Sequence, residues 1–221
     1  MSLRAKRSSR KSANKSKTLS NQFSRYGILF VVSAPSGAGK TTLCDALRQT
    51  PDFVYSVSCT TRPARAGEIA GEDYQFISES DFRDRIDADE FLEYAQVHGH
   101  YYGTLRQPIV SNLKSGVDVL IDVDTQGAAS IRGYNDAFIR EALSDVFIMP
   151  PDLDELRRRL TKRGTETTEQ IDLRLKTAAR EMQLWRDYRY TLISKSIEED
   201  LLKFRQIMGA ERYRSRRLIQ G

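Results

Sequence analysis

The stretch Ala34-Pro35-Ser36-Gly37-Ala38-Gly39-Lys40-Thr41 constrains this chain more than any other. An apolar run, Ile28 to Val32, precedes it, and a helical pattern, Thr42 to Arg48, follows. Strand, glycine loop and helix in that order form a phosphate-binding P-loop. A loop without bulky side chains lets backbone N–H groups point inward at phosphate oxygens, and the following helix adds its positive end. Lys40 reaches toward β- and γ-phosphates, and the Thr41 hydroxyl suits Mg²⁺. The motif asks for Gly at its first position, where this chain has Ala34. A methyl there is tolerated if the residue keeps a negative φ, because only left-handed positions strongly demand Gly.

At 221 residues the chain supports one domain with inserts or two small ones. Hydrophobic content of 39% with 29% charged residues fits a globular chain that buries a core. No run approaches the roughly 20 apolar residues of a membrane-spanning helix. Cys44 and Cys59 have no metal spacing and read as buried free thiols of a reducing compartment, so a cytoplasmic location is expected. The net charge of +5 is uneven: residues 1–25 hold eight Lys or Arg and no acid, and the remainder carries 27 basic against 30 acidic residues. Bulk charge therefore does not point the folded part toward nucleic acid. Met1 to Arg25 is expected to be a disordered, solvated tail. A transit peptide and an RNA- or ribosome-touching arm are its other readings.

Along the chain, residues 27–33 read as a strand buried on both faces of a parallel sheet. Phe53 to Thr60 alternates as a strand and runs into a Pro/Gly loop through Glu68. Asp73 to Phe76 is a short strand, Ser78 starts a helix to about Ala88, and Phe91 to Val97 is a strand. His98-Gly99-His100 turns it back into Tyr101 to Thr104. Residues 53–104 thus form a small, mostly antiparallel β subdomain with one helix. A helix over 106–115 follows, then a buried strand, Val117 to Val123, bearing Asp122 and Asp124 at its end. An acid there is what Mg²⁺–water coordination beside a P-loop requires. Phe147 to Met149 is a third buried strand. Asp152 with Glu155 caps a helix that stops at Gly164, and Thr167 with Gln170 forms a capping box. The next helix carries Ile171, Leu175, Ala178, Met182 and Trp185 on one face, which reads as core packing. Tyr190 to Ile193 is the last strand, and residues 197–212 the last helix. His98 and His100 read as hairpin residues, since no third ligand is near.

Six motifs in this order, Ser-Ala-Pro-Ser-Gly-Ala-Gly-Lys-Thr, Ser-Val-Ser-Cys-Thr-Thr-Arg-Pro, Gly-Glu-Asp-Tyr, Tyr-Tyr-Gly-Thr, Asp-Val-Asp-Thr-Gln-Gly and Arg-Gly-Thr-Glu, resemble the guanylate kinase family over about residues 26–212. The resemblance implies an α/β, P-loop nucleoside monophosphate kinase fold. Its parallel-sheet core would span 26–56, 105–151 and 184–221, with an inserted antiparallel β GMP-binding subdomain at 57–104 and a helical lid at 152–183. It implies the reaction of ATP with GMP or dGMP to give ADP and the diphosphate, with Mg²⁺; from the apolar runs and the charge balance, neither a membrane nor a stable nucleic acid partner of the folded part is expected. Where the family shows Val-Asn-Asp after the last strand, this chain has Ile193-Ser194-Lys195, a departure that bears on nucleotide-donor selectivity.

The resemblance also assigns residues. ATP would lie on Ala34, Pro35, Ser36, Gly37, Ala38, Gly39, Lys40, Thr41 and Thr42, with Thr41 and, through water, Asp122 toward the metal. Guanine offers an acceptor at O6 and donors at N1 and N2, which suit a hydroxyl and a carboxylate. By resemblance these are Ser58 and Glu93, with Thr104 and Asp124 nearby. Arg62, Arg65, Tyr74 and Tyr102 match the clamp on the GMP phosphate, and Glu68 would orient the arginines. Lys40, Arg62 and the lid arginines Arg159, Arg163 and Arg174 would stabilise the charge that spreads during phosphoryl transfer. The bland readings are an exposed strand carboxylate for Glu93 and solvated loop charges for Arg62 and Arg65. An interaction module on the same fold is the other function class. Such a module can lose Lys40, Thr41 or the lid arginines, and this chain has them all.

Overall fold

The computed structural model describes residues 23–97, 99–163 and 167–220. Strands are β1 (Phe23–Arg25), β2 (Leu29–Ser33), β3 (Val54–Tyr55), β4 (Cys59–Thr60), β5 (Gln75–Phe76), β6 (Phe91–Val97), β7 (His100–Leu105), β8 (Val119–Asp122), β9 (Leu143–Met149), β10 (Tyr190–Ile193) and β11 (Leu218–Gln220). Helices are α1 (Lys40–Arg48), α2 (Glu79–Asp87), α3 (Arg106–Lys114), α4 (Thr125–Arg132), α5 (Ala137–Ala142), α6 (Leu153–Arg163), α7 (Thr168–Glu181) and α8 (Ile197–Arg212).

A five-stranded sheet in the order β10-β9-β2-β8-β3, parallel throughout, forms the centre. Strand β2 explains its own apolar run. Leu29 and Val31 face a core with Ile109, Leu113 and Ile131, while Ile28, Phe30 and Val32 face another with Leu43, Leu47, Phe204 and Met208. A strand covered by helices on both sides needs apolar residues at every position rather than alternate ones. Each of these fully buried side chains contributes about 1.5–3 kcal/mol by leaving water.

After Tyr55 the chain leaves this sheet and enters a second, β5-β4-β7-β6, at Cys59. The single strand expected over Phe53 to Thr60 is therefore two short ones in different sheets. Within the second sheet β6–β7 and β4–β7 are antiparallel, but β4–β5 is parallel. Phe82 of α2 stacks between Phe91 and Tyr101, at 4.4 and 5.2 Å between ring centroids, and gives this sheet its own small core. Helices α6 and α7 pack on each other through Leu156, Leu160, Ile171, Leu175 and Ala178. Both N-caps act as the sequence suggests: Asp152 accepts from the Glu155 N–H at 2.7 Å, and Thr167 and Gln170 close a reciprocal capping box.

Several expectations need correction. Helix α7 ends at Glu181, and Met182–Asp187 tighten into a 3₁₀ turn, so Trp185 leaves the apolar stripe and is 38% exposed. Strand β9 begins at Leu143 rather than Phe147, because the buried Asp145 is held by Arg132 at 3.0 Å and by the Arg189 N–H at 2.9 Å. The expected tail loses its last three residues to β1, which pairs antiparallel with β11. Residues 1–22, His98 and the expected stop at Gly164 lie outside the described residues.

The anchor of β1 is Asp118, which is 2% exposed and accepts from Arg25 at 2.5 and 3.0 Å, from the Ile28 N–H at 2.9 Å and from Arg212 at 2.7 Å. Arg25→Ala removes one cation from this shared carboxylate and leaves Arg212. A charge-assisted hydrogen bond of this kind contributes about 1.5–3 kcal/mol. The expected result is a melting temperature lower by about 3–12 °C, from ~2–4 °C per kcal/mol in a chain this size. An unchanged melting temperature in a thermal scan would mean that Arg212 and the Ile28 N–H satisfy Asp118 without Arg25.

Candidate active site

The loop between β2 and α1 is where the parallel sheet opens at its carboxyl end, and ligands of α/β sheets bind there. Gly37 and Gly39 have φ of 86° and 102°, values that side-chain-bearing residues avoid. Ala34 is not among the positive-φ residues, since Asp89 is the only non-glycine described with one. The methyl of Ala34 turns into the core, 8% exposed, so the departure at the motif's first position costs no strain.

Lys40, first residue of α1, points across to the end of β8. Its Nζ lies 3.1 Å from Asp122 Oδ2 and donates to the Val123 carbonyl at 3.1 Å. Burial works against the ammonium, but the Asp122 carboxylate outweighs it and holds the Lys40 pKa above the usual lysine value. The other Asp122 oxygen accepts from the Tyr55 hydroxyl. Arg48 lies 3.7 Å over the Tyr55 ring, and its guanidinium approaches Asp73 to 4.0 Å. Tyr55 and Arg48 were not legible as site residues, because their role depends on strand β3 ending beside β8. Thr41 and Asp122 line one cleft with Asp124 and the second sheet. Among the described residues no cluster of three His, Cys, Asp or Glu could hold a metal alone. A hydroxyl and a carboxylate do fit Mg²⁺, which takes a few oxygen ligands and completes its shell with water and phosphate.

The facing wall of that cleft, of about 490 Å³, is the second sheet. Glu93 on β6 is 8% exposed and accepts from Thr104 Oγ1 at 2.6 Å; Thr104 in turn lies 3.3 Å from Ser58 Oγ. Ser58, Thr104 and Glu93 thus form one hydrogen-bonded row. The N-terminus of α4 closes it from the side, where Asp124 accepts from the Gly127 N–H at 2.7 Å. A methyl on Gly127 would fall 3.0 Å from Glu93 Oε2, so any side chain there presses on the carboxylate. Burial raises the Glu93 carboxyl to about 7; the Thr104 bond opposes this and the Asp124 charge adds to it.

At the mouth of the same cleft, Arg62 makes a two-pronged pair with Glu68, at 2.8 and 3.0 Å. Glu68 also accepts from the Arg65 N–H at 2.7 Å, so it fixes the Arg62 side chain and the Arg65 backbone. The Arg62 bond, and then the Arg65 one, hold the Glu68 carboxyl below its ordinary pKa. Tyr74 and Tyr102 meet edge-on at 5.9 Å, and the Arg62 guanidinium lies 5.5 Å from the Tyr74 ring centre. Arg62, Arg65, Glu68, Tyr74 and Tyr102 all line this cleft with Lys40.

The cleft continues past the P-loop to α7, through a space of about 920 Å³ lined by residues 34–41, Asp124, Gln126, Arg174 and Glu181. Arg174 therefore faces the loop. Arg159 sits at its root: it pairs with Glu155 at 2.7 Å, donates to the Ala38 carbonyl at 2.9 Å, and reaches the Ser194 hydroxyl at 3.2 Å. Ser194, the departure noted after the last strand, is 5% exposed and donates to Asp200 at 2.7 Å. Arg163 closes α6, and nothing of its side chain is described. Thr42 is exposed on α1.

A parallel sheet feeding a glycine loop, with an acid-ended neighbouring strand, an inserted second sheet and a helical pair over the loop, defines a P-loop nucleoside monophosphate kinase fold. The family model described as guanylate kinase matches residues 4–211. A guanylate kinase from Clostridium tetani is 39% identical over 193 residues, covering 87% of this chain and 90% of that protein. One from Maricaulis maris is 44% identical over 189 residues, 85% of each. The crystal structure of guanylate kinase from Anaplasma phagocytophilum superposes with a TM-score of 0.73 at 34% identity, covering 89% of this chain and 92% of that one. The chain belongs to the guanylate kinase family.

Proposed function

We propose that this chain transfers the γ-phosphoryl group of ATP to GMP, and to dGMP, giving ADP and the corresponding diphosphate. The observation that carries this reading is that Ser58, Glu93 and the Arg62–Tyr74–Tyr102 group open into one cleft with Lys40, with Thr104 buried behind Glu93 and bonded to it. Guanine N1–H and N2–H donate to the Glu93 carboxylate, and Ser58 serves O6. Arg62, Arg65, Tyr74 and Tyr102 grip the GMP phosphate, whose oxygen is already an anionic nucleophile and needs no general base. The P-loop amides, Lys40, Thr41 and Thr42 hold the ATP phosphates in line with it, so positioning supplies much of the rate. Arg174, which lines the space over the loop, would bring positive charge to the transferring group, and Arg159 and Arg163 are the motif's other candidates for that role. Thr41 and Asp122 would hold Mg²⁺, which would supply positive charge to offset the polyphosphate. The two unpaired, buried cysteines suit a reducing cytoplasm. No described helix is long and apolar enough to cross a membrane.

The deciding experiment is ADP release measured with GMP, dGMP, AMP, CMP and UMP as acceptors. GMP and dGMP are expected to be used, and the others to lag by orders of magnitude. Equal use of AMP would overturn the guanine assignment.

The raised Glu93 carboxyl adds a pH signature. Unliganded Glu93 is about half protonated near pH 7, whereas the two guanine donors require the carboxylate. GMP binding at pH 6–7 is therefore expected to release a proton, and affinity to fall about tenfold per pH unit well below 7 while the phosphate charge is allowed for. Calorimetry in buffers of different ionisation heat reads the proton count. A count of zero at pH 6 would show that Glu93 does not change its protonation state when GMP binds.

A further inference from the structure

We propose that Glu181 is a residue of the donor-phosphate site, where its carboxylate occupies a P-loop amide that a donor phosphate oxygen must take over. The proposal rests on the assignment of the P-loop to the donor. The backbone N–H of Ser36 donates to Glu181 Oε2 at 3.0 Å. Glu181 is the last residue of α7, and it lines the P-loop cleft together with Gln126, Arg174 and Thr177.

Inward-facing amides of such a loop are the donors that hold phosphate oxygens, and a carboxylate oxygen at hydrogen-bond distance stands where one of those oxygens would lie. One N–H cannot serve both anions at full strength. The position is also electrostatically poor for a glutamate. It closes a helix, where partial negative charge accumulates. Burial pushes its carboxyl above the ordinary pKa, and the Asp124 charge adds to this, while the Ser36 N–H opposes it. The Ser36 amide is thus what keeps the charge in place, and a polyphosphate that takes the amide leaves Glu181 beside a second anion. Release of Glu181 falls on a built-in break, because α7 gives way to the 3₁₀ turn Met182–Asp187 at the next residue. The sequence hides all of this: a Glu at the end of an amphipathic helix reads as a solvated charge.

Gln at 181 keeps the size and the acceptor oxygen but loses the charge, and an uncharged acceptor bonds an amide about half as strongly. Glu181→Gln is therefore expected to bind magnesium-free ATP and tripolyphosphate about tenfold more tightly than the wild type, with GMP affinity unchanged within twofold. Titration calorimetry on the full chain reads all three, and thermal scans check folding. Glu181→Ala, which leaves the amide open, is expected to tighten both polyphosphates at least as much. If both variants bind the polyphosphates no more tightly than wild type, Glu181 only props the loop and the proposal falls. If wild type and variants alike bind neither polyphosphate, the donor role of the P-loop falls first and takes this proposal with it.

Discussion

Replacing Lys40 by alanine lowers turnover by about 10²–10³ while GMP affinity stays within a few-fold. The magnitude is that of removing one preorganised donor from the charge that develops in a transition state. The selectivity follows from geometry. Lys40 starts α1 on the loop side of the cleft and is tied to Asp122 and the Val123 carbonyl, whereas the row built on Glu93 and the arginine at Glu68 sit on the second sheet. Alanine leaves Asp122 its bond from Tyr55, so the carboxylate at the end of β8 keeps one anchor when its cation is gone. Single-turnover kinetics separates the chemical step from product release, and calorimetry reads GMP. A comparable loss of GMP binding would mean that Lys40 organises the acceptor side as well, through Asp122, Tyr55 and Arg48.

What the sequence made legible divides along a physical line. Strand β2, the glycine loop and both caps of the α6–α7 pair are visible because their causes are local: an apolar run, left-handed glycines, and an oxygen side chain three residues ahead of an N–H. Strand β1 is invisible because its reasons, Asp118 and Leu218–Gln220, lie far along the chain. The short helices α4 and α5 carry too few turns to show a period. The site shows the same division. The positions assigned by motif to the acceptor, except the buried Thr104, line one cleft, yet the couplings of the site are tertiary: Thr104 to Glu93, Tyr55 to Asp122, Glu181 to Ser36, Arg159 to Ala38. Trp185 fails for a related reason, since a 3.6-residue period was extended across a point where the helix tightens and rotates its later side chains outward.

Glu93→Ala strikes GMP hard and AMP little, so the ratio of kcat/KM for the two acceptors shrinks by at least about tenfold, or 1.4 kcal/mol. The two bases differ on the edge that Glu93 and Ser58 would face in the proposed complex. Adenine lacks the N1–H and the 2-amino donor, and it presents an amine in place of O6. AMP leaves the carboxylate unpaired in a pocket where Glu93 is 8% exposed, and an unpaired buried charge costs more than a missing neutral bond. Sites built this way reject the wrong analogue by about 10⁴–10⁵, which leaves ample range for the loss to be seen. Arg65→Ala is the contrast: both nucleotides carry the same phosphate, so both weaken by a similar factor and the ratio holds. Stability moves the other way. The folded Glu93 carboxyl titrates near 7 against 4.5 when unperturbed, so the folded state binds the extra proton between those values. The cost of ionising it is absent below about 4.5 and complete above 7. Glu93→Gln, which still accepts from Thr104, is expected to melt a few degrees higher than wild type at pH 8 and to lose that advantage by pH 4.5. Steady-state kinetics with both acceptors and melting at the two pH values test the pair together. An unchanged GMP/AMP ratio in Glu93→Ala would reduce Glu93 to a packing residue of β6, and the guanine assignment would go with it.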